Sequence, residues 1–287
     1  MKTKLANINN LFLVFVIFFS FSINYFYANI GVSPMDTFAF FDTAYNILLD
    51  RHPFKDIWVT TGPFVDYLQS IFFKIFGLNW KSYVIHGSIF NTIIATSFYF
   101  VLIKFNLNKY IALLYTVCFS ILCYPISGTP FAYIHSYVLS LLAILIFIYS
   151  VKFENKILFF FLPIIMFLSF ASMQNPSSFI NLILLISILS YIFILKKFEI
   201  FKFFLGGCVF ILISILLFLN LNKIPIESIF QQYFLFPLTM AENRISGNDM
   251  AHISLSGGFT FRNIVGHFKF INLYILLFIF FSFLEIK

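Results

Sequence analysis

Residues 203–220 read FFLGGCVFILISILLFLN, a run without one charged side chain. A helix of about 20 residues, rising 1.5 Å per residue, crosses the roughly 30 Å hydrocarbon layer of a bilayer. Comparable runs lie at 9–29, 83–103, 110–124, 133–151, 157–173, 178–195 and 269–285, of which 110–124 and 157–173 are short for a crossing. The whole chain agrees: of 287 residues, 61% are hydrophobic and 10% charged, with 46 Phe. A soluble domain carries about 25% charged residues, and so few charges would leave a globule with large apolar patches in water. Long unbroken runs indicate helices and exclude the alternating segments of an outer-membrane barrel. The expected fold is an all-α, polytopic transmembrane helix bundle of about eight spans, a single transmembrane domain over residues 1–287.

The connections sort by charge. Lys104 and Lys109 flank one, Lys152 and Lys156 another, and Lys196, Lys197 and Lys202 lie in a third, while 125–132 and 172–177 carry no charge. The positive-inside rule sends the lysine-bearing connections and the N-terminus, with Lys2 and Lys4, to the cytoplasm. Segments 30–82 and 221–268 then face outside together, at the periplasmic or exterior face of a plasma (bacterial inner) membrane. Span-end lysines beside anionic lipid account for much of the net charge of +7, so it does not point to nucleic acid. The first run lacks a small-residue cleavage site and reads as an uncleaved anchor. Cys118, Cys123 and Cys208 sit in apolar runs with no CxxC or Cys/His spacing and read as small core residues.

The first outer segment, SPMDTFAFFDTAYNILLDRHPFKDIWVTTGPFVDY (33–67), holds five of the eleven acidic residues: Asp36, Asp42, Asp50, Asp56 and Asp66. Carboxylates near lipid are costly, so a cluster needs a reason. Ser33 suits a helix cap, Pro34 the first position and Asp36 the third. Asp36, Thr43, Asn46 and Asp50 then share one face, and Phe38, Phe41, Tyr45 and Leu48 form an apolar one, as in a helix lying along the interface. His52-Pro53 breaks it. A second amphipathic stretch, Phe64 to Phe76, follows Gly62-Pro63 and ends at Gly77. Segment 221–268 has a short helix after Pro225, through Phe230-Gln231-Gln232-Tyr233, and then a polar, Gly-rich loop, Asn243 to Gly258. Asp42, Asp50 and Asp66 read as solvated charges. Asp56 reads as a turn former or a functional carboxylate, and Asp36 as a functional acid or one that complements the helix macrodipole, worth about 0.3–1 kcal/mol. His86 and His135 read as hydrogen-bonded core residues, and Gln174-Asn175-Pro176 as a tight turn facing the outer site.

In order, Asp36, the run Ala44–Leu49, Pro53-Phe54-Lys55-Asp56, Gly62-Pro63 and Phe76-Gly77 follow the first span. This set resembles the first outer loop of GT-C superfamily membrane glycosyltransferases, among them bacterial members related to protein O-mannosyltransferases and lipid A aminoarabinose transferases. The motifs cover about the first 80 residues; the rest is similar in topology only. Asp50-Arg51 stands where the family has a glycine, and Asp36-Thr37 gives one carboxylate where a pair is usual. Members are longer, so the resemblance implies a truncated one. It implies an inverting glycosyltransferase that takes sugar from a polyprenyl-phosphate donor to a glycan, lipid or protein acceptor. It assigns Asp36 as base and Asp56 as second carboxylate or acceptor contact. The departing phosphate needs outer cations, for which Arg51, Lys55, Lys223, Arg244, His252, Arg262 and His267 are available; Arg244 and Arg262 lead, with His252 beside them. No cofactor is implied; a divalent metal held by Asp36 and a histidine is conceivable, but no ligand spacing supports it.

Two other classes stay open. A lipid or sugar flippase or transporter would place ionisable groups inside its spans. A noncatalytic, degenerate transferase would keep the fold without the chemistry.

Overall fold

The computed structural model describes residues 2–31 and 34–240. Its packing divides the chain after Tyr233, and the arrangement that follows is that of the first unit. The described residues are all-α, with ten α-helices. These are α1 (Lys2–Tyr27), α2 (Pro34–Leu48), α3 (Phe64–Phe76), α4 (Trp80–Lys104), α5 (Lys109–Leu122), α6 (Ala132–Phe153), α7 (Lys156–Phe170), α8 (Gln174–Ile194), α9 (Phe198–Asn222) and α10 (Ile226–Ile229). The last runs into a π-helical stretch, Phe230–Leu235.

Five helices are long and apolar enough to cross a bilayer: Asn10–Tyr27 of α1, then α4, α6, α8 and α9. The protein is an integral membrane protein. Helices α5 and α7 have 14 and 15 residues, about 21 and 22 Å at 1.5 Å per residue, less than the hydrocarbon thickness. The expected span 269–285 lies outside the described residues. Local signals set the boundaries. Asn79, Asn108 and Asn155 cap α4, α5 and α7 by accepting backbone N–H groups of Ser82, Tyr110 and Ile157 at 2.9, 3.0 and 3.2 Å. Gly77 ends α3 at a φ of 85°, where a side chain would be strained.

Helices α4, α6 and α8 start at one end of the bundle, where His86 meets His135 and Ser136 meets Met173, and α1 and α9 finish at that end. At the opposite end Lys152 Nζ lies 3.8 Å from the Phe105 ring centroid and Lys197 Nζ donates to Glu154 Oε1 at 2.7 Å, so the three lysine-bearing connections gather. At the first end Asn24 Nδ2 donates to the Gly128 carbonyl at 2.9 Å, Ser136 Oγ to Met173 at 3.2 Å and Lys55 Nζ to Asn222 at 3.3 Å.

Helices pack here through small residues and interhelical hydrogen bonds, as membrane bundles do. Asn91 Nδ2 donates to the carbonyls of Ser20 (2.8 Å) and Ser120 (3.0 Å), tying α4 to α1 and α5. Phe159, Leu162, Ile188, Ile192, Ile200 and Phe204 fill the core of α7, α8 and α9. Gly207 lets α9 touch α7 backbone to backbone: a Cβ there would lie 2.1 Å from the Phe160 carbonyl oxygen.

Two sequence expectations need correction. Cys118 is exposed, and Cys123 and Cys208 are half-buried. Helix α5 buries Ala112, Thr116 and Ser120, one face at helical spacing, and Cys118 lies on the opposite one. On α2 the buried face is Thr37, Phe40, Ala44 and Ile47, while Phe38 and Tyr45 are exposed. Phe40 meets Phe131 at 5.4 Å between ring centroids and Phe41 meets Phe73 at 4.8 Å, so aromatic neighbours and the small Ala44 decide the contact face.

Candidate functional site

The loop between α2 and α3 is tightly built. Asp50 and Phe54 adopt φ of 62° and 67°, uncommon for residues with a side chain. The His52 carbonyl accepts from Asp56 N–H at 2.9 Å, and Phe54 N–H donates to Ile57 at 3.0 Å. Asp56 Oδ2 returns the contact by accepting His52 N–H at 2.9 Å. The carboxylate thus staples the turn it belongs to. It also lies 3.9 Å from Lys55 Nζ. That lysine caps the Asn222 carbonyl at the C-terminus of α9, where a cation complements the helix dipole. Asp56, Lys55 and the end of α9 are therefore brought together.

The stapled turn aims His52, which is buried. Its Nε2 lies 3.3 Å from Asp50 Oδ1, and its Nδ1 lies 3.0 Å from the Tyr67 hydroxyl. A carboxylate beside Nε2 favours the tautomer protonated there, in which Nδ1 accepts from Tyr67. Burial, and then the charges of Asp66 and Asp56, push the Tyr67 hydroxyl well above its ordinary pKa, which keeps it a donor.

Two glutamines clamp the loop that follows. Gln232 Oε1 accepts Val59 N–H at 3.0 Å and its Nε2 donates to the Phe54 carbonyl at 3.4 Å. Gln174 Nε2 donates to the carbonyls of Thr60 (3.0 Å) and Tyr233 (2.8 Å). Gly62 N–H and Phe64 N–H donate to Ser172 and Ala171, both at 3.1 Å. The segment after α9 thus meets the acidic loop, as does Gln174 at the start of α8.

Asp66 departs from expectation. It was expected in water, yet it is 1% exposed, on the face of α3 that buries Val65, Gln69, Ser70 and Phe73. Its Oδ1 has no hydrogen-bond partner among the described residues. Burial pushes its carboxyl well above the usual carboxylate range. The spacing Asp66, Gln69, Phe73 was a readable signal, since three residues at i, i+3 and i+7 share a face.

Beneath it runs a buried polar chain. His86 Nδ1 lies 2.8 Å from Gln69 Oε1, His86 Nε2 3.0 Å from His135 Nε2, and His135 Nδ1 2.7 Å from the Tyr124 hydroxyl. With the amide oxygen as acceptor, the direction is fixed: Tyr124 donates to His135, His135 to His86, and His86 to Gln69. Both histidines are hydrogen-bonded core residues, as expected. Their pairing joins positions 49 apart, which no local pattern shows.

Asp36 lies in the first turn of α2. The next residue, Thr37, is held by Tyr83, whose hydroxyl donates to the Thr37 carbonyl at 2.7 Å. The expected phosphate contacts Arg244, Arg262 and His252, and His267 with them, lie outside the described residues. Arg51 is exposed, 3.5 Å from Asn46 Oδ1. No cluster of three or more His, Cys, Asp or Glu able to hold a metal occurs among the described residues. The fold and site define a helical integral membrane protein with a hydrogen-bonded polar site at one end of its bundle. No family model, curated protein or solved structure matches the chain.

Proposed function

We propose that this protein is a membrane glycosyltransferase that moves a sugar from a polyprenyl-phosphate-linked donor to a glycan, lipid or protein acceptor at the extracytoplasmic face. The observation that carries this reading is the union of carboxylates and a cation in one hydrogen-bonded loop, Asp50 to Asp56, joined to the end of α9 through Lys55. The lysine-bearing connections face the cytoplasm, α2 and α3 lie along the outer interface, and about eight spans complete the bundle.

The acceptor oxygen attacks the anomeric carbon and the polyprenyl phosphate departs. Asp36 supplies a carboxylate to the oxocarbenium-like transition state. Lys55 and Arg51 are the cations of the loop itself, and Arg244, Arg262 and His252 are the further candidates for the departing phosphate. Transfer of tritiated sugar from a polyprenyl-phosphate donor, compared between the natural chain and Asp36→Asn, tests the reading. A chain that forms no glycosidic bond sinks it.

The buried Gln69–His86–His135–Tyr124 chain favours a second reading, a lipid or sugar flippase or transporter, because ionisable groups in span helices, here His86 and His135, commonly line a path. Such a protein would move lipid or sugar without a new glycosidic bond, and a degenerate transferase would do neither.

A further inference from the structure

We infer that His52, oriented by Asp50 and coupled to Tyr67, is the proton acceptor of the transfer reaction, and that Asp56 is a positioning residue that holds it. The inference rests on the transferase reading and changes the division of labour within it.

Three observations converge on His52. Its ring lies between an acceptor and a donor, with Asp50 Oδ1 at 3.3 Å on Nε2 and the Tyr67 hydroxyl at 3.0 Å on Nδ1. That leaves Nδ1 as the basic atom, as in a carboxylate–imidazole–hydroxyl arrangement that activates an oxygen. Second, the backbone is shaped around it. Positive φ values at Asp50 and Phe54 flank the residue, and strain of this kind persists where surrounding structure over-determines it. Third, the Asp56 carboxylate, the second candidate carboxylate, is engaged by His52 N–H at 2.9 Å. The groups facing His52 are Asp50, Asp56 with Lys55 beside it, and Tyr67 from α3. From α9, the Phe218 ring packs on Tyr67, 5.0 Å between centroids.

The proton balance is complete. The acceptor hydroxyl hydrogen-bonds to the Tyr67 oxygen. As its oxygen bonds to the anomeric carbon, its proton passes to Tyr67 while the Tyr67 proton passes to His52 Nδ1. The bond from the anomeric carbon to the phosphate oxygen breaks, and its electron pair leaves with the polyprenyl phosphate. The imidazolium is held by Asp50 until it releases the proton to water. Tyr67 ends as it began, a neutral phenol, in keeping with a site that disfavours phenolate. Asp36 keeps an electrostatic role at the sugar.

The test uses membrane vesicles carrying the full chain and polyprenyl phosphate linked to tritiated glucose, mannose or aminoarabinose. Transfer is followed across pH 5 to 8, the range in which imidazoles titrate. His52→Asn keeps an amide oxygen to accept from Tyr67 but cannot take up a proton. It should lower kcat by about a hundred- to ten-thousand-fold, leave donor KM unchanged, and flatten the rising limb of the pH profile. Tyr67→Phe should lower kcat as well. Asp56→Ala, which removes the acceptor of the His52 N–H, should reduce the rate yet keep the limb, since His52 is still present. If the natural chain transfers sugar and His52→Asn keeps the same rate and profile, the assignment of His52 is overturned and the transferase reading stands. If the natural chain transfers none of the three sugars, both fall.

Discussion

Gly62→Ala tests the docking of the acidic loop onto the α7–α8 connection. A Cβ at position 62 would lie 1.9 Å from the Ala171 carbonyl oxygen, 2.2 Å from its carbon and 2.9 Å from Ser172 N. Ordinary contact begins at 3.4 Å, so the two segments must part by about 3.4 − 1.9 = 1.5 Å. Gly62 N–H to Ser172 and Phe64 N–H to Ala171, both now 3.1 Å, would then exceed hydrogen-bond range. Two lost backbone bonds cost about 1–3 kcal/mol together. Overpacking that is only partly relieved costs about another 1–3 kcal/mol. The lower chain entropy of the unfolded alanine variant offsets less than about 1 kcal/mol. The expected loss is about 2–5 kcal/mol. Unfolding by denaturing detergent in mixed micelles, followed by tryptophan fluorescence, reads it. Of the two tryptophans, Trp58 lies in the affected loop. Gly31→Ala is the control, since nothing lies within 4 Å of a Cβ there. If Gly62→Ala unfolds with the natural chain and the control, the close approach of the two segments is wrong.

The glycine pair on α9 gives a second contrast. Gly207→Ala should cost about 1–3 kcal/mol by forcing α9 from the Phe160 carbonyl, whereas Gly206→Ala, whose Cβ would meet only the Phe160 ring at 3.6 Å, should be tolerated; equal unfolding midpoints would refute this. Gln69→Leu should strand the His86 Nδ1–H and cost about 1–3 kcal/mol. Nitrogen chemical shifts should show the His86 tautomer changing with it, and an unaltered spectrum would contradict the chain's direction. Asp66 makes stability depend on pH. Its folded-state carboxyl is raised, so the native protein keeps a proton that the unfolded chain sheds. Its contribution is full below about pH 4, the unfolded value, and is lost as pH climbs toward the raised folded value. Asp66→Asn should remove that decline and stabilise the protein at neutral pH; parallel pH curves for the two proteins would rule it out.

Much of the fold was written in local pattern. Uncharged runs marked α4, α6, α8 and α9. Gly62-Pro63 and Gly77 bracketed α3, and Pro225 preceded α10, because these residues limit backbone conformation wherever they occur. The contact faces were less legible. The apolar face expected on α2 was rotated from the buried one because Phe, Ala and Thr positions all fit a helical period, and only the partners Phe131 and Phe73 choose among them. Asp66 was misplaced for a related reason: a charge predicts water unless its helix turns it inward. The site was legible as a segment but not as a mechanism. His52 registered as half of a helix-breaking dipeptide, and Tyr67 registered not at all. Their meeting spans 15 residues and depends on a fold-back that Asp56 makes by bonding a main-chain amide.

The two glutamine clamps on the 54–60 segment have a practical consequence. Gln174 and Gln232 are neutral, and they grip main-chain atoms rather than side-chain charges. Added electrolyte shortens the reach of free charges to about 10 Å at 0.1 M and leaves amide contacts nearly untouched. The loop should therefore keep its shape from dilute buffer to brine. Any loss of affinity for an anionic molecule along that series then reports on the molecule's own charge, and ionic strength becomes a clean meter for how many negative groups the loop engages.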